Sequence, residues 1–76
     1  MISEHERVVL TRDLREHGLE AGDVGTVVHV YRAGSAYEVE FVALDGETAV
    51  VATVEAATVR PVHKREITPA RQLAIA

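Results

Sequence analysis

Residues 36–42, Ala36-Tyr37-Glu38-Val39-Glu40-Phe41-Val42, alternate between apolar and charged side chains. Neighbouring side chains of a strand point to opposite faces, so this alternation predicts a half-buried β-strand. Tyr37, Val39 and Phe41 are predicted to face the core, and Glu38 and Glu40 are predicted to face water. The rest of the fold prediction is built outward from this strand.

Turn signals flank the strand on both sides. Asp45-Gly46, within residues 44–47, is a strong hairpin signal and predicts a turn into a further strand over 48–54. On the other side, the glycine-containing stretch 32–35 predicts a turn that follows a Val-rich strand over 24–31. Residues 24–54 are therefore expected to form three strands joined by short turns.

Two shorter strands are predicted near the ends of the chain, over residues 7–11 and 58–60. A single tight turn over 55–57 precedes the last strand, which Pro61 is expected to stop. The long polar segment 12–23 predicts a folded-back loop with Leu14 and Leu19 tucked beneath it.

The composition agrees with an all-β fold. Thirteen of the 76 residues are Val and six are Thr, whose branched side chains suit pleated surfaces. Five short strands, a long first loop and a single-turn helix before the last strand are typical of a small SH3-like barrel. The residues predicted to lie in or near its core are Val8, Leu10, Val24, Val27, Val30, Tyr37, Val39, Phe41, Val50, Ala52 and Val59. The second strand's register depends on a bulge, which would exchange the adjacent Val27 and Val28.

Two resemblances rest on particular stretches of this sequence. Gly22-Asp23-Val24-Gly25-Thr26-Val27, with two glycines three apart leading into a Val-rich strand, resembles the KOW-type SH3-like element. Residues 6–62 as a whole resemble a small uncharacterised bacterial family of SH3-like domains, a domain of unknown function. The phrases that carry this second resemblance are 9–13, 17–19, 22–28, 37–41 and 59–62. The resemblance implies a fold and no established activity.

The charge divides the chain into an SH3-like barrel over residues 1–62 and a C-terminal tail over 63–76. Five basic against eleven acidic side chains give the first part a net charge of −6, and the tail carries +2. Thr68-Pro69 predicts a short helix from Pro69 to Ala76. Such a short helix needs packing, so we expect Leu73 and a neighbour such as Ile67 or Ala76 to pack against the barrel or a second copy. Arg71 and Lys64 would suit its acidic surface, and a frayed end is the alternative.

Several function classes are not expected from this sequence. It lacks cysteine and any apolar run that could span a membrane, and its first six residues are too acidic for a signal peptide, so a cytoplasmic location is predicted. The four histidines are at least twelve residues apart, unlike paired zinc ligands. No serine or carboxylate has the surroundings of a catalytic group. The prediction is a non-enzyme without metal or cofactor.

The favoured function is an acidic, non-catalytic protein-interaction module that binds a basic protein partner. Antitoxin-like and immunity-like proteins share this charge arrangement, by analogy only. An open strand edge or the tail offers a route to a homo-oligomer. The predicted partner-binding residues are Asp13, Glu16, Glu20, Glu38, Glu40 and Glu47. The same residues would also serve a surface that only keeps the domain in solution.

The alternative function is a KOW-like module that binds RNA or the ribosome. It would use a local basic patch, although the net charge of −4 repels phosphate and makes nucleic acid the less favoured partner. The patch would comprise Arg7, Arg12, Arg15 and Arg32.

Overall fold

A computed structural model describes residues 2–73, and five β-strands in one antiparallel sheet dominate it. The strands are β1 (Arg7–Leu10), β2 (Val24–Tyr31), β3 (Ala36–Val42), β4 (Thr48–Glu55) and β5 (Val59–Pro61). Single 3-10 turns occupy Arg15–His17, Arg32–Gly34 and Ala56–Thr58. The predicted all-β class, the five strands and the single turn before the last strand are confirmed. The order in the sheet is β4-β3-β2-β1-β5, and the sheet is not closed, because β4 and β5 remain its edges.

One face of the sheet carries the core. Tyr37, Val39 and Phe41 are at most 4% exposed, which confirms the inward face predicted for β3. Their neighbours across β3 and β4 are Val54, Ala52 and Val50, in the same order. Other buried members of the core cluster are Ile2, Val8, Leu10, Leu19, Val27 and Val59.

The pairing of β1 with β2 corrects part of the predicted core. Gly25 lies opposite Val8 on the core face, so the preceding residue, Val24, lies opposite Val9 on the other face. Val24 is consequently only half-buried, whereas its partner Val9, on the same outer face, is 6% exposed. Val30 and Val50 are half-buried and pack against the core cluster, as expected of positions in or near the core.

A β-bulge in β2 decides which of two adjacent valines is buried. The register between β2 and β3 shifts between Val27 and His29. Val27 is fully buried and Val28 is 39% exposed, so the extra residue, Val28, lies on the solvent side. Beyond the bulge, Val30 returns to the core face opposite Tyr37.

The long loop between β1 and β2 is pinned by its two leucines, as predicted. Leu14 and Leu19 pair with each other through backbone hydrogen bonds of 2.9 and 3.1 Å. Leu19 is buried in the core cluster and Leu14 packs against it. The loop is therefore held against the core by these two residues.

The tail departs from its prediction. Residues 69–73, where a helix was predicted, have no regular secondary structure, and residues 74–76 of that predicted helix lie outside the described residues. Thr68 and Pro69 favour a helix start, but a segment of eight residues cannot form enough hydrogen bonds to sustain one without apolar packing along its length. Residues 63–72 are exposed, and among residues 63–73 only Leu73 packs against the core.

Candidate interaction site

The two edges of the sheet differ in length and chemistry. The β5 edge is three residues long and ends at Pro61, which has no backbone N–H to offer. The β4 edge is eight residues long, pairs with β3 alone, and is uncharged from Thr48 to Val54. Long apolar edges without lysine or proline are the ones that accept a further strand. The β4 edge is therefore the open edge of this domain.

Acidic side chains bracket and flank the open edge. Glu47 precedes β4 in an exposed hairpin turn, and Glu55 ends the strand. The turn is well formed: the Ala43 N–H donates to the Glu47 carbonyl over 2.8 Å, and Asp45 Oδ1 accepts from the Glu47 N–H over 3.0 Å. Its Gly46 has φ of 94°, the left-handed conformation that makes Asp-Gly a hairpin signal. The hairpin thus holds Glu47 at the start of the edge.

The outward face of β3 carries Glu38 and Glu40, each bound to neutral donors. Glu38 Oε1 accepts from the Thr53 hydroxyl over 2.7 Å and from the Tyr31 hydroxyl over 3.0 Å. These bonds, that from Thr53 first, lower the pKa of Glu38, and the bond to Glu38 raises the pKa of Tyr31. Glu40 accepts from the Thr48 hydroxyl. Neutral donors leave both carboxylates with their charge, so the face stays acidic, and a carboxylate with a lowered pKa is a poor proton donor at neutral pH.

Two acidic residues of the long loop accept hydrogen bonds from backbone N–H groups of the same loop. Asp13 Oδ1 accepts from the Ala21 N–H over 2.9 Å. Asp23 Oδ2 accepts from the Glu20 N–H over 2.8 Å, which stabilises the turn before β2. Glu20 and Asp23 also pair with Arg71 of the tail, whereas Glu16 is exposed in the first 3-10 turn. The six predicted partner-binding residues thus fall into a β3–β4 group, Glu38, Glu40 and Glu47, and a loop group, Asp13, Glu16 and Glu20.

The four arginines of the alternative basic patch lie on three different segments of the chain. Arg7 is on β1, Arg12 and Arg15 are in the long loop, and Arg32 begins the turn between β2 and β3. The last 3-10 turn links two of these regions, because Ala56 N–H donates to the Ser35 carbonyl and Thr11 N–H donates to the Thr58 carbonyl. Within the described residues, none of the four arginines forms an ion pair.

The start of the tail is fixed by one carboxylate. Glu66 accepts from both terminal nitrogens of Arg60, over 2.9 and 2.7 Å, and from the His63 N–H over 2.5 Å. The bidentate bond from Arg60, followed by the His63 N–H, lowers the pKa of Glu66 to about 2. From the sequence, Glu66 contributes only to the net charge of the tail, and its structural role was not predicted. The six-residue separation from Arg60 gave no signal of this pair.

We expect the Glu66 anchor to depend on pH in the acid range. The pKa of Glu66 is about 2 in the folded protein, below its ordinary value of 4.5. Ionised Glu66 therefore stabilises the turn at residues 63–66 fully above pH 4.5, and this stabilisation is lost as the pH falls toward 2. NMR titration of the Glu66 side-chain carboxyl should show a midpoint near 2. In Arg60→Met the midpoint should return toward the ordinary value. A midpoint near 4.5 in the wild-type protein would show that the pair does not form in solution.

Two features are absent from residues 2–73. No three side chains of the metal-ligating types come together within that range. Nor does any helix in it combine the length and apolar character needed to cross a membrane.

Comparison with known proteins gives one match. A family model described as Domain of unknown function (DUF4926) matches residues 4–61, which confirms the expected resemblance to a family of unknown function. No curated protein and no solved structure matches the chain. The matched region contains all five strands and the long loop, and it ends where the tail begins.

Proposed function

The chain belongs to the family Domain of unknown function (DUF4926), and we propose that it is a non-catalytic protein-interaction module whose partner adds a strand to the β4 edge. The observation that carries the proposal is the asymmetry of the two edges. The β5 edge is short and ends in proline. The β4 edge is eight residues long, is uncharged until Glu55 at its end, and has no strand on its outer side within residues 2–73. Strand addition uses such edges, with main-chain hydrogen bonds giving affinity and alternate side chains giving specificity.

The charge of the surroundings specifies the chemistry of the partner. Val51, in the middle of β4, is 48% exposed and provides an apolar contact for an added strand. Glu47 and Glu55 lie at the two ends of the edge, and Glu38 and Glu40 lie on the neighbouring strand. A partner strand with an apolar centre and basic residues at its ends fits this arrangement. Two copies of β4 would bring acidic ends together, which disfavours self-pairing.

The fold we propose for this module is an SH3-like barrel. Its support is the strand order β4-β3-β2-β1-β5, the bulge that bends β2, and the single 3-10 turn that leads from β4 to β5. That turn bonds to the β2–β3 turn through Ser35 and to the end of β1 through Thr11, contacts that are compatible with a barrel. The antitoxin-like or immunity-like role extends the proposal by analogy with other acidic proteins that pair with basic ones.

We expect Val51→Lys to abolish partner binding without unfolding the domain. A lysine on an edge strand discourages the addition of another strand, and the position is half exposed. Val28→Lys is the matched control, because it places the same charge at an exposed position of β2, which is paired on both sides. The test uses the full-length protein as bait and compares the proteins retained by the three forms.

The proposal is supported if a basic protein is retained by wild type and by Val28→Lys, is lost with Val51→Lys, and binds less at high salt. Equal retention by all three forms would exclude the β4 edge as the site. Retention of a partner of high negative charge would contradict the proposed chemistry.

The alternative function, RNA or ribosome binding, is favoured by one observation. Arg7, Arg12, Arg15 and Arg32 form no ion pairs within residues 2–73, so their charges remain available there. We nevertheless expect RNA and double-stranded DNA to bind no tighter than the ~10⁻⁴ to 10⁻⁶ M of non-specific contacts at physiological salt. A titration over several salt concentrations tests this. Sub-micromolar affinity with a steep salt slope, lost in the Arg12→Ala/Arg32→Ala variant, would favour the alternative.

A further inference from the structure

The C-terminal tail lies over the outer face of the sheet, next to the β4 edge. An open groove of about 1240 Å³ lies between tail residues 66–73, the long loop and the outer face of the sheet, and its lining includes Glu40 of β3 and Ala49 of β4. Its floor includes Val9 and Val24, the pair that the register places on the outer face. Among the described residues after Glu66, two side chains hold the tail on the domain: Arg71 and Leu73.

Arg71 occupies a site with several acceptors. Its Nε donates to Asp23 Oδ1 over 3.1 Å, and a terminal nitrogen donates to Asp23 Oδ2, so the carboxylate is bound at both oxygens. The same nitrogen donates to the Gly18 carbonyl over 3.3 Å, and the other terminal nitrogen lies 3.7 Å from Glu20 Oε2. A planar guanidinium satisfies this set, whereas an ammonium group cannot bond to both carboxylate oxygens in the same way.

The site for the guanidinium is organised by the domain itself. Asp23 is held by the Glu20 N–H, and the loop that carries both residues is held by Asp13 and by the Leu14–Leu19 pair. Only 20% of the Asp23 side chain and 27% of the Arg71 side chain are exposed. The acceptors are therefore set in place by contacts that do not involve the tail.

The tail is a poor fit for the groove as a whole. Residues 67–70 and Gln72 are exposed, and open space remains between them and the sheet. The family match ends at Pro61, so every residue of the acceptor site belongs to the family domain and the occupant does not. Within residues 66–73, Leu73 packs against the core while Ile67 is 92% exposed, so this part of the tail adds little to the core.

We propose that this groove is a recognition site for an extended segment of a partner protein that carries arginine followed two residues later by an aliphatic side chain, and that the tail is its intramolecular competitor. Arg71 and Leu73 show the pattern: Arg71 bonds to Asp23, and Leu73, two residues later, packs against the core cluster. A tethered competitor acts at an effective concentration in the millimolar range, so it would reject weak ligands and admit tight ones.

The experiment uses full-length protein and a fluorescent peptide of residues 66–76 as the probe. In Arg71→Glu the tail is repelled from Asp23 and the groove is open, so anisotropy should show saturable binding at least ten-fold tighter than to wild type. Lys64→Glu is the matched control: it changes the tail's charge equally, at a residue that forms no ion pair within residues 2–73, and it should behave as wild type. Circular dichroism establishes that each variant is folded.

Three further measurements decide the specificity. A probe with Arg71→Lys should bind the open variant about ten-fold more weakly, because the two-oxygen contact is lost. Asp23→Asn introduced into the Arg71→Glu protein keeps the size of the side chain and should remove probe binding. Val51→Lys should leave the probe affinity unchanged, which separates this groove from the β4 edge. Absence of saturable binding to folded Arg71→Glu, equal binding to wild type, or binding that survives Asp23→Asn would overturn the proposal.

Discussion

Phe41→Ala should lower the free energy of unfolding by about 3–5 kcal/mol, the largest effect we expect from any single substitution. Phe41 is 4% exposed, lies between Val50 on β4 and the core side of β2, and is the only phenylalanine of the chain. Its removal leaves a cavity that the surrounding small Val and Ala side chains cannot fill. A 76-residue domain has a total stability near the low end of 5–15 kcal/mol, so the variant should be largely unfolded.

The neighbouring residue supplies the control. Val42 is 46% exposed on the opposite face of the same strand, so Val42→Ala should change stability by less than about 1 kcal/mol. Urea unfolding followed by circular dichroism measures both variants. A Phe41→Ala protein that unfolds cooperatively at the wild-type urea midpoint would show that Phe41 does not belong to the core.

Gly25→Val should destabilise the domain by about 3 kcal/mol, at the upper end of the range for overpacked sites. A Cβ atom at Gly25 would lie 2.5 Å from Val39 Cγ1, 2.9 Å from the Glu40 carbonyl oxygen and 2.9 Å from Phe41 Cε1. Two of these neighbours belong to the packed core and one is backbone, so none can move cheaply. The requirement for glycine here is close approach of β3, because Gly25 is not among the residues with positive φ.

Gly46→Ala separates steric overlap from backbone preference. Gly46 has φ of 94°, and a Cβ atom at this position would have no neighbour within 4 Å. Alanine there should lower the free energy of unfolding by only about 1 kcal/mol, because alanine disfavours a positive φ. Thermal unfolding of the two variants measures the difference. A Gly25→Val protein as stable as wild type that no longer binds its partner would make Gly25 a binding residue instead.

Much of the architecture was predictable because it depends on neighbours in the chain. The alternation over 36–42 determines which face of β3 is buried, and Asp45-Gly46 determines where the chain turns into β4. Leu14 and Leu19 could be identified as loop anchors because they are the only large apolar residues in a polar segment. The acidic charge of the surface is likewise a property of the sequence.

The candidate sites required the tertiary structure, because they depend on which strands meet. Both Val9 and Val24 are valines in apolar runs, and only the pairing of Val8 with Gly25 places them together on the outer face. The identity of the open edge follows from the sheet order, since no feature of residues 48–55 shows that they lack a second neighbour. Asp23 and Arg71 are 48 residues apart, and a bond across that separation is specified by the folded surface rather than by any local pattern. The sequence by itself thus determined the strands, turns and charge, whereas the close packing of β2 against β3, the open edge and the groove beneath the tail were decided only when distant segments came into contact.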